Sequence, residues 1–224
     1  MINKTVESVA AALSDVADGA SVMVGGFGLA GQPQELIYGL LEQGARDLVI
    51  ISNNAGNGDV GLAALLKEGR VRKVVCSFPR QVDSWVFDEL YRAGKIELEL
   101  VPQGDLAERI RAAGAGIPAF YSPTAYGTRL AEGAETREFD GVNTVMKTAL
   151  RADVALVKAL RADTWGNLVY RKTARNFGPV MATAATTTVV QVDQIVEVGQ
   201  IDPETVVTPG IFVDRIVQIP GGVA

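Results

Sequence analysis

Gly25, Gly26 and Gly28 follow the apolar residues Val22, Met23 and Val24 within a run that extends from Asp18 to Pro33. A strand that empties into glycines brings main chain close to a ligand, because a residue without Cβ admits an oxygen that a side chain would hold away. Successive N–H groups in such a turn then face that oxygen together. The chemistry this supports is recognition of an anionic or carbonyl oxygen by backbone donors, and the sequence places it at Gly25, Gly26, Phe27, Gly28, Leu29, Ala30 and Gly31. Gly26, Gly28 and Gly31 also satisfy the G-x-G-x-x-G spacing of dinucleotide-binding loops, so an NAD-dependent oxidoreductase is one reading. Two features weigh against it. In that fingerprint the helix opens within the glycine run, which would leave Pro33 in the helix body, where its missing N–H and its ring disrupt the turn. Pro33 fits the first helical position better, with Gln32 just outside. The acid that would hold a ribose hydroxyl after the second strand is also replaced by Ser52, Asn53 and Asn54. A glycine turn needed only for tight strand-to-helix packing is a further reading.

The chain contains no histidine, which excludes Ser-His-Asp and Cys-His nucleophile systems and the usual zinc and iron ligand sets. No metal is expected. The single cysteine, Cys76, follows Val74 and Val75 and reads as a packed, inert thiol. A net charge of -5 has the wrong sign for a nucleic-acid surface, and Lys and Arg are scattered rather than striped. No stretch is apolar enough to span a bilayer, and the first residues lack an apolar core of signal-peptide length. A soluble cytoplasmic protein is therefore expected.

The elements that position the glycine run follow from periodicity. Val6, Val9, Ala10, Leu13 and Val16 keep helical spacing. Strand Val22 to Val24, helix Pro33 to Gln43, strand Leu48 to Ile51, helix Leu62 to Lys67, strand Val71 to Cys76, helix Ser84 to Ala93 and strand Ile96 to Val101 come next. Continuous apolar strands alternating with amphipathic helices predict an α/β fold, a mostly parallel central sheet with helices on both faces, in one domain over residues 1–224. Leu106 to Ala113 reads as helix and Gly114 to Gly127 as a loop. Val154 to Leu160 reads as strand, Gly166 to Tyr170 as a turn into a strand, and Ala182 to Val192 as a close-packed helix running on into sheet.

Ligands of open α/β sheets bind beyond the carboxyl ends of the strands. The polar residues there, besides the glycines, are Ser52 to Gly56, Ser77 to Arg80 and Pro102 to Gly104. Amides dominate, which suits carbonyl and carboxylate recognition by neutral hydrogen bonds better than acid-base work. Asn53 and Asn54 equally suit strand-end turns, whereas Gln103 has neighbours without competing side chains.

With these residues on the page, the chain resembles the alpha subunits of class I coenzyme A transferases. Asp18 to Pro33 meets every position of that family's pattern, an Asp-Gly pair, three apolar residues, then Gly-Gly-Phe and a Gly-x-Pro ending. Ser52 to Gly58, Ser77 to Arg80, Pro102 to Arg111 and Arg175-Asn176-Phe177 match as well, so the resemblance covers nearly the whole chain. Asp140 to Thr144 and Thr186 depart from it. Ser52 to Gly58 and Phe87 to Lys95 look most like the members acting on 3-oxoadipate, with the succinyl-CoA:acetoacetate transferases as near siblings. The resemblance implies a CoA-transferase fold of the NagB/RpiA-like kind and no permanently bound cofactor, CoA and acyl-CoA being substrates. It also implies a partner beta subunit, in a heterodimer or heterotetramer, that carries the nucleophilic glutamate. That carboxylate attacks the acyl-CoA thioester to give a mixed anhydride; the released thiolate returns to form a glutamyl-CoA thioester, and the acceptor acid reverses the steps. No catalytic residue is then expected in this chain. The glycine loop would contact acyl-CoA, and Asn53, Asn54 and Gln103 would hold the acid. Among the chain's own glutamates, Glu35, Glu42 and Glu89 read as solvated helix faces, and Glu108 is the best internal candidate for a nucleophile. A sugar-phosphate isomerase or a ligand-binding protein on a related scaffold remains a different reading, one that would work without a partner.

Overall fold

A computed structural model of the chain describes residues 2–219. Its elements run α1 (Val9–Leu13), β1 (Ser21–Val24), α2 (Gln34–Gln43), β2 (Leu48–Ile51), α3 (Leu62–Lys67), β3 (Val71–Cys76), α4 (Trp85–Arg92), β4 (Glu97–Leu100) and α5 (Gln103–Gly114), then β5 (Ala119–Ser122), β6 (Thr136–Phe139), β7 (Val142–Thr148), β8 (Ala152–Asp163), β9 (Leu168–Val169), α6 (Gly178–Ala182), β10 (Ala185–Val196) and β11 (Arg215–Gln218). The main sheet has the order β11-β10-β8-β1-β2-β3-β4 and is parallel throughout, apart from β9, which lies antiparallel on β8.

The apolar runs are continuous because both faces of this sheet are covered. Val22 and Val24 of β1 pack with Leu13 of α1, Leu36 and Leu40 of α2, Leu65 of α3 and Phe87 of α4. Met23, between them, joins the opposite layer with Leu106 and Ile110 of α5 and Met181 of α6. The same alternation sends Val74 and Cys76 to the first layer and Val75 to the second.

A second, three-stranded antiparallel sheet of order β5-β7-β6 was not anticipated. Gly114 to Gly127, expected as a loop, contributes β5 to it. β6 and β7 form a hairpin closed at Asp140 and Gly141, both with positive φ (48° and 77°), and Phe139 pairs with Val142 across the turn. This is the Asp-Gly two-residue turn whose twist matches antiparallel strands. The small sheet is held to α5 through buried Asp105, whose Oδ1 accepts a 2.8 Å hydrogen bond from Ser122 Oγ. Lys147 Nζ lies 3.2 Å from Oδ2, which lacks a hydrogen bond of good geometry, so that link is coulombic. On the edge strand β4, burial alone would raise the pKa of Glu99; the hydrogen bonds from Lys73 and Arg109 outweigh it and hold the carboxyl below the usual range.

Three other expectations are corrected. Pro33 precedes α2 as its cap rather than opening it, and the helix begins at Gln34. The stretch Ala182 to Val192 is mostly strand: helix ends at Ala182, and β-branched Thr186 to Val190 enter β10. The first helix is shorter than Val6 to Val16, starting where Ser8 Oγ accepts from Ala11 N at 3.1 Å.

Candidate functional site

β1 has β2 on one side and β8 on the other, so the chain's two directions of winding diverge at its carboxyl end. That is where an open α/β sheet leaves a crevice. The glycine run fills this point. Gly25 N continues the ladder to Leu156 O at 3.0 Å, and Phe27 and Ala30 then close a tight loop through reciprocal hydrogen bonds of 3.0 and 3.2 Å. The N–H groups of Gly26, Gly28, Leu29 and Gly31 have no hydrogen-bond partner among the described residues. Gly26 must be glycine: its φ is +125°, and a Cβ there would sit 3.1 Å from Gln32 Cα. Gly31 serves a different contact. A Cβ on it would lie 2.2 Å from the carbonyl oxygen of Ala174, in the turn Lys172–Arg175, so its lack of a side chain lets that turn close on the glycine loop.

On the β2–β4 side the crevice is neutral. Asn53, 2% exposed, accepts two hydrogen bonds at Oδ1, each of 2.8 Å, from Ser77 Oγ at the end of β3 and from Gln103 Nε2 in the first turn of α5. With its oxygen doubly engaged, Asn53 has Nδ2 left as a donor. Asn53, Gln103, Ser77, Asn57, Phe27 and Phe78 are among the walls of a cleft of about 610 Å³, none of whose lining residues carries a carboxylate. Asn57 contributes a buried Oδ1 without a hydrogen bond.

The structure thus brings Phe27, Asn53 and Gln103 together, but not Asn54. Asn54 Oδ1 accepts from Gly56 N at 2.9 Å, its backbone bridges to Phe78, and it does not line the cleft. Asn57 and Ser77 were missing from the expected ligand set, although Ser77 lies in a strand-end segment and Asn57 in the family-matching run Ser52 to Gly58. Of the departures from the family pattern, Asp140 to Thr144 belong to the hairpin, and Thr186 lies at the start of β10, the opposite end of the sheet from the glycine loop.

The chain's other reactive groups are placed elsewhere. Glu108 forms hydrogen bonds with Arg111 Nε and Nη2 at 2.8 and 2.6 Å on α5, and these lower its pKa. Glu35, Glu42 and Glu89 are exposed. Cys76 is fully buried, and desolvation pushes its thiol up to about 12. No group of His, Cys, Asp and Glu among the described residues could hold a metal, and no helix there is long and apolar enough to cross a membrane.

On the β8 side the crevice is cationic. A second cleft of about 610 Å³ is lined by Phe27, Ala30, Lys172, Thr173, Arg175 and Asn176. Asn176 Nδ2 donates to Ala30 O at 2.9 Å and fastens the turn to the glycine loop.

Comparison with known proteins agrees with this architecture. Residues 6–218 match the family model described as Coenzyme A transferase. The chain is 68% identical over its full length to the A subunit of the 3-oxoadipate CoA-transferase of Pseudomonas putida, covering 97% of that protein. It is 54% identical to the A subunit of the succinyl-CoA:3-ketoacid coenzyme A transferase of Xanthomonas campestris, over 94% of this chain and 86% of that one. Among solved structures, the acyl-CoA transferase YdiF of Escherichia coli O157:H7, in a thioester complex with CoA, superposes with a TM-score of 0.86 at 25% identity. The chain aligns over 99% of its own length and spans half of that longer protein. A match that takes in the glycine loop, the amide cleft and the cationic turn together places this chain in the coenzyme A transferase family.

Proposed function

We propose that this chain is the A subunit of a two-subunit cytoplasmic CoA-transferase that moves CoA from succinyl-CoA to 3-oxoadipate. The observation that carries the reading is the amide cleft: hydrogen-bonding groups suited to a carboxylate or carbonyl meet there beside unpaired backbone N–H groups, and no carboxylate of this chain lines it. The attacking carboxylate then comes from the partner subunit. It displaces CoA thiolate from the acyl carbon to give a mixed anhydride; the thiolate attacks the enzyme carbonyl, forming the enzyme-CoA thioester and releasing succinate. 3-Oxoadipate attacks that thioester, and the same bonds form and break in reverse. CoA and acyl-CoA enter as substrates, with no permanently bound cofactor. Backbone donors fixed on a developing oxyanion contribute roughly 3 to 4 kcal/mol each to such a step.

Exposed apolar side chains around the cleft support the need for a partner. Phe27 and Phe78 are 51% and 58% exposed, and Val82, also on the cleft wall, is fully exposed; such clusters at a site mark surfaces that another molecule covers. The relatives named as 3-oxoadipate CoA-transferase subunits, at 68% and 61% identity, favour 3-oxoadipate, and the 54% identical relative makes a simpler 3-oxo acid such as acetoacetate the second reading. The test is purification of the chain alone and with its partner, each assayed with succinyl-CoA against 3-oxoadipate and acetoacetate. Transfer is expected only from the assembled enzyme, with 3-oxoadipate preferred. Transfer by the chain alone would overturn the shared-site reading.

A further inference from the structure

The crevice at the end of β1 has two halves of different charge with Phe27 as a wall of both. The β2–β4 half is lined by amides and a hydroxyl, whereas the β8 half holds Lys172 and Arg175 and no carboxylate. In a chain of net charge -5, a concavity whose charged residues are all cations is a local reversal of sign. Neither cation forms an ion pair among the described residues. Asp193 lines a separate small cavity of about 150 Å³, which Lys172 also lines, so Arg175 is the cation committed to the larger cleft.

The turn that presents these cations is fixed in place. The main chain at position 174 closes on Gly31, and Asn176 Nδ2 binds both Ala30 O and Thr173 O at 2.9 Å. Lys172 adopts φ +49°, a left-handed conformation that is strained for a residue with a side chain. Such strain persists where the surroundings over-determine it, and it clusters at ligand clamps.

We propose that Arg175, with Lys172, binds the remote carboxylate of a dicarboxylic substrate, the one that is not joined to CoA. The inference rests on the proposed function, in which donor and acceptor are both diacids at their free ends. With the reacting carboxyl among the amides and the glycine N–H groups, a short diacid passes Phe27 and ends at the turn. Guanidinium matches a carboxylate in a bidentate fork, so Arg175 supplies direction as well as charge. A monocarboxylic 3-oxo acid presents a methyl group to the same cations and leaves them unpaired. The phosphates of CoA are the other anions these side chains could meet, but they are common to every acid the enzyme uses.

The test compares 3-oxoadipate with 3-oxohexanoate, an acid of equal length that ends in methyl, using the assembled enzyme and one acyl-CoA donor. In Arg175→Gln the ratio of kcat/KM for the diacid over the monoacid is expected to fall roughly tenfold to a hundredfold, the range for hydrogen bonds to charged groups. Lys172→Gln lowers it less, and Arg175→Lys restores part of it. If the monoacid turns over too slowly to measure, the inhibition constants of adipate and hexanoate give the same comparison, with only adipate weakened by Arg175→Gln. An unchanged ratio overturns the inference: equal losses for both acids assign the turn to CoA phosphates, and no loss for either assigns it to structure alone. Failure of the native enzyme to use either acid is a different result and removes the proposed function itself.

Discussion

Replacing Asn53 with aspartate changes one atom of the cleft. Oδ1 keeps its two donors, Ser77 Oγ and Gln103 Nε2, each at 2.8 Å, so the local packing stays. What is lost is Nδ2, the donor left facing the cleft, and what is gained is negative charge where a substrate carboxylate arrives. A hydrogen bond to a charged group contributes about 1.5 to 3 kcal/mol, a factor of roughly ten to 150 in kcat/KM. Charge repulsion adds to this up to a ceiling, because the new carboxyl can instead take up a proton. From an ordinary value of about 3.9, that costs at most about 4 kcal/mol at pH 7. At least a tenfold loss is therefore expected at pH 7, reaching about 10⁴- to 10⁵-fold at the ceiling. The signature is its pH dependence: the neutral form grows about tenfold for each unit the pH falls while the carboxyl remains mostly ionised. The variant's kcat/KM relative to the native enzyme should accordingly rise from pH 8 to pH 6. Asn53→Ala is the control, because it deletes Nδ2 and Oδ1 together and adds no titratable group. Ser77 Oγ still has the backbone oxygen of residue 53 at 3.1 Å and exposed Gln103 turns to water, so roughly 1 to 2 kcal/mol of stability is lost, without the pH trend. An Asn53→Asp enzyme with native kcat/KM across that pH range would refute the claim that Nδ2 meets the substrate.

Glu108→Gln should leave transfer within about twofold of native and stability within about 0.5 kcal/mol, as for other exposed ion pairs; steady-state kinetics that show abolished turnover would instead put the nucleophile in this chain. Asp105→Ala should cost about 3 to 5 kcal/mol, because it strands Lys147, 11% exposed, beside an empty carboxylate position. Differential scanning calorimetry should place that variant's midpoint about 6 to 20 °C lower, at roughly 2 to 4 °C per kcal/mol for a chain of this size. Cys76 should not react with a disulfide reagent at pH 8 until the protein is unfolded, since its thiol is buried and its pKa is pushed up to about 12; rapid labelling of the native state would show an opening that exposes β3.

The parallel sheet was legible because burial on both faces leaves continuous apolar runs such as Leu48–Ile51 and Val71–Cys76. The small sheet was not, because β6 is exposed along its whole length and carries no apolar alternation. Its one clear sign was Asp140-Gly141 between Phe139 and Val142, a hairpin turn whose flanking strand β6 offers no apolar alternation to pair with it. β10 was misread at its start because Ala182, Thr183 and Ala184 are neutral as to helix or strand, and the threonines that decide come next. In the site, the glycine loop and the amides Asn53 and Gln103 could be placed from strand ends alone. Asn54 could not be told from Asn53, since facing a cleft and capping a turn use the same side chain. The segment Arg175-Asn176-Phe177 stood out as a family match, but its place beside the glycine loop was not legible, because it lies more than a hundred residues from the loop it touches.

The contact between Gly31 and position 174 has a consequence for how this sequence can drift. The obstacle to a side chain at position 31 is a main-chain oxygen, so no smaller residue at 174 makes room for one. A selection for second-site suppressors of a Gly31 variant should return glycine itself or changes that reroute the backbone, and none at 174 alone.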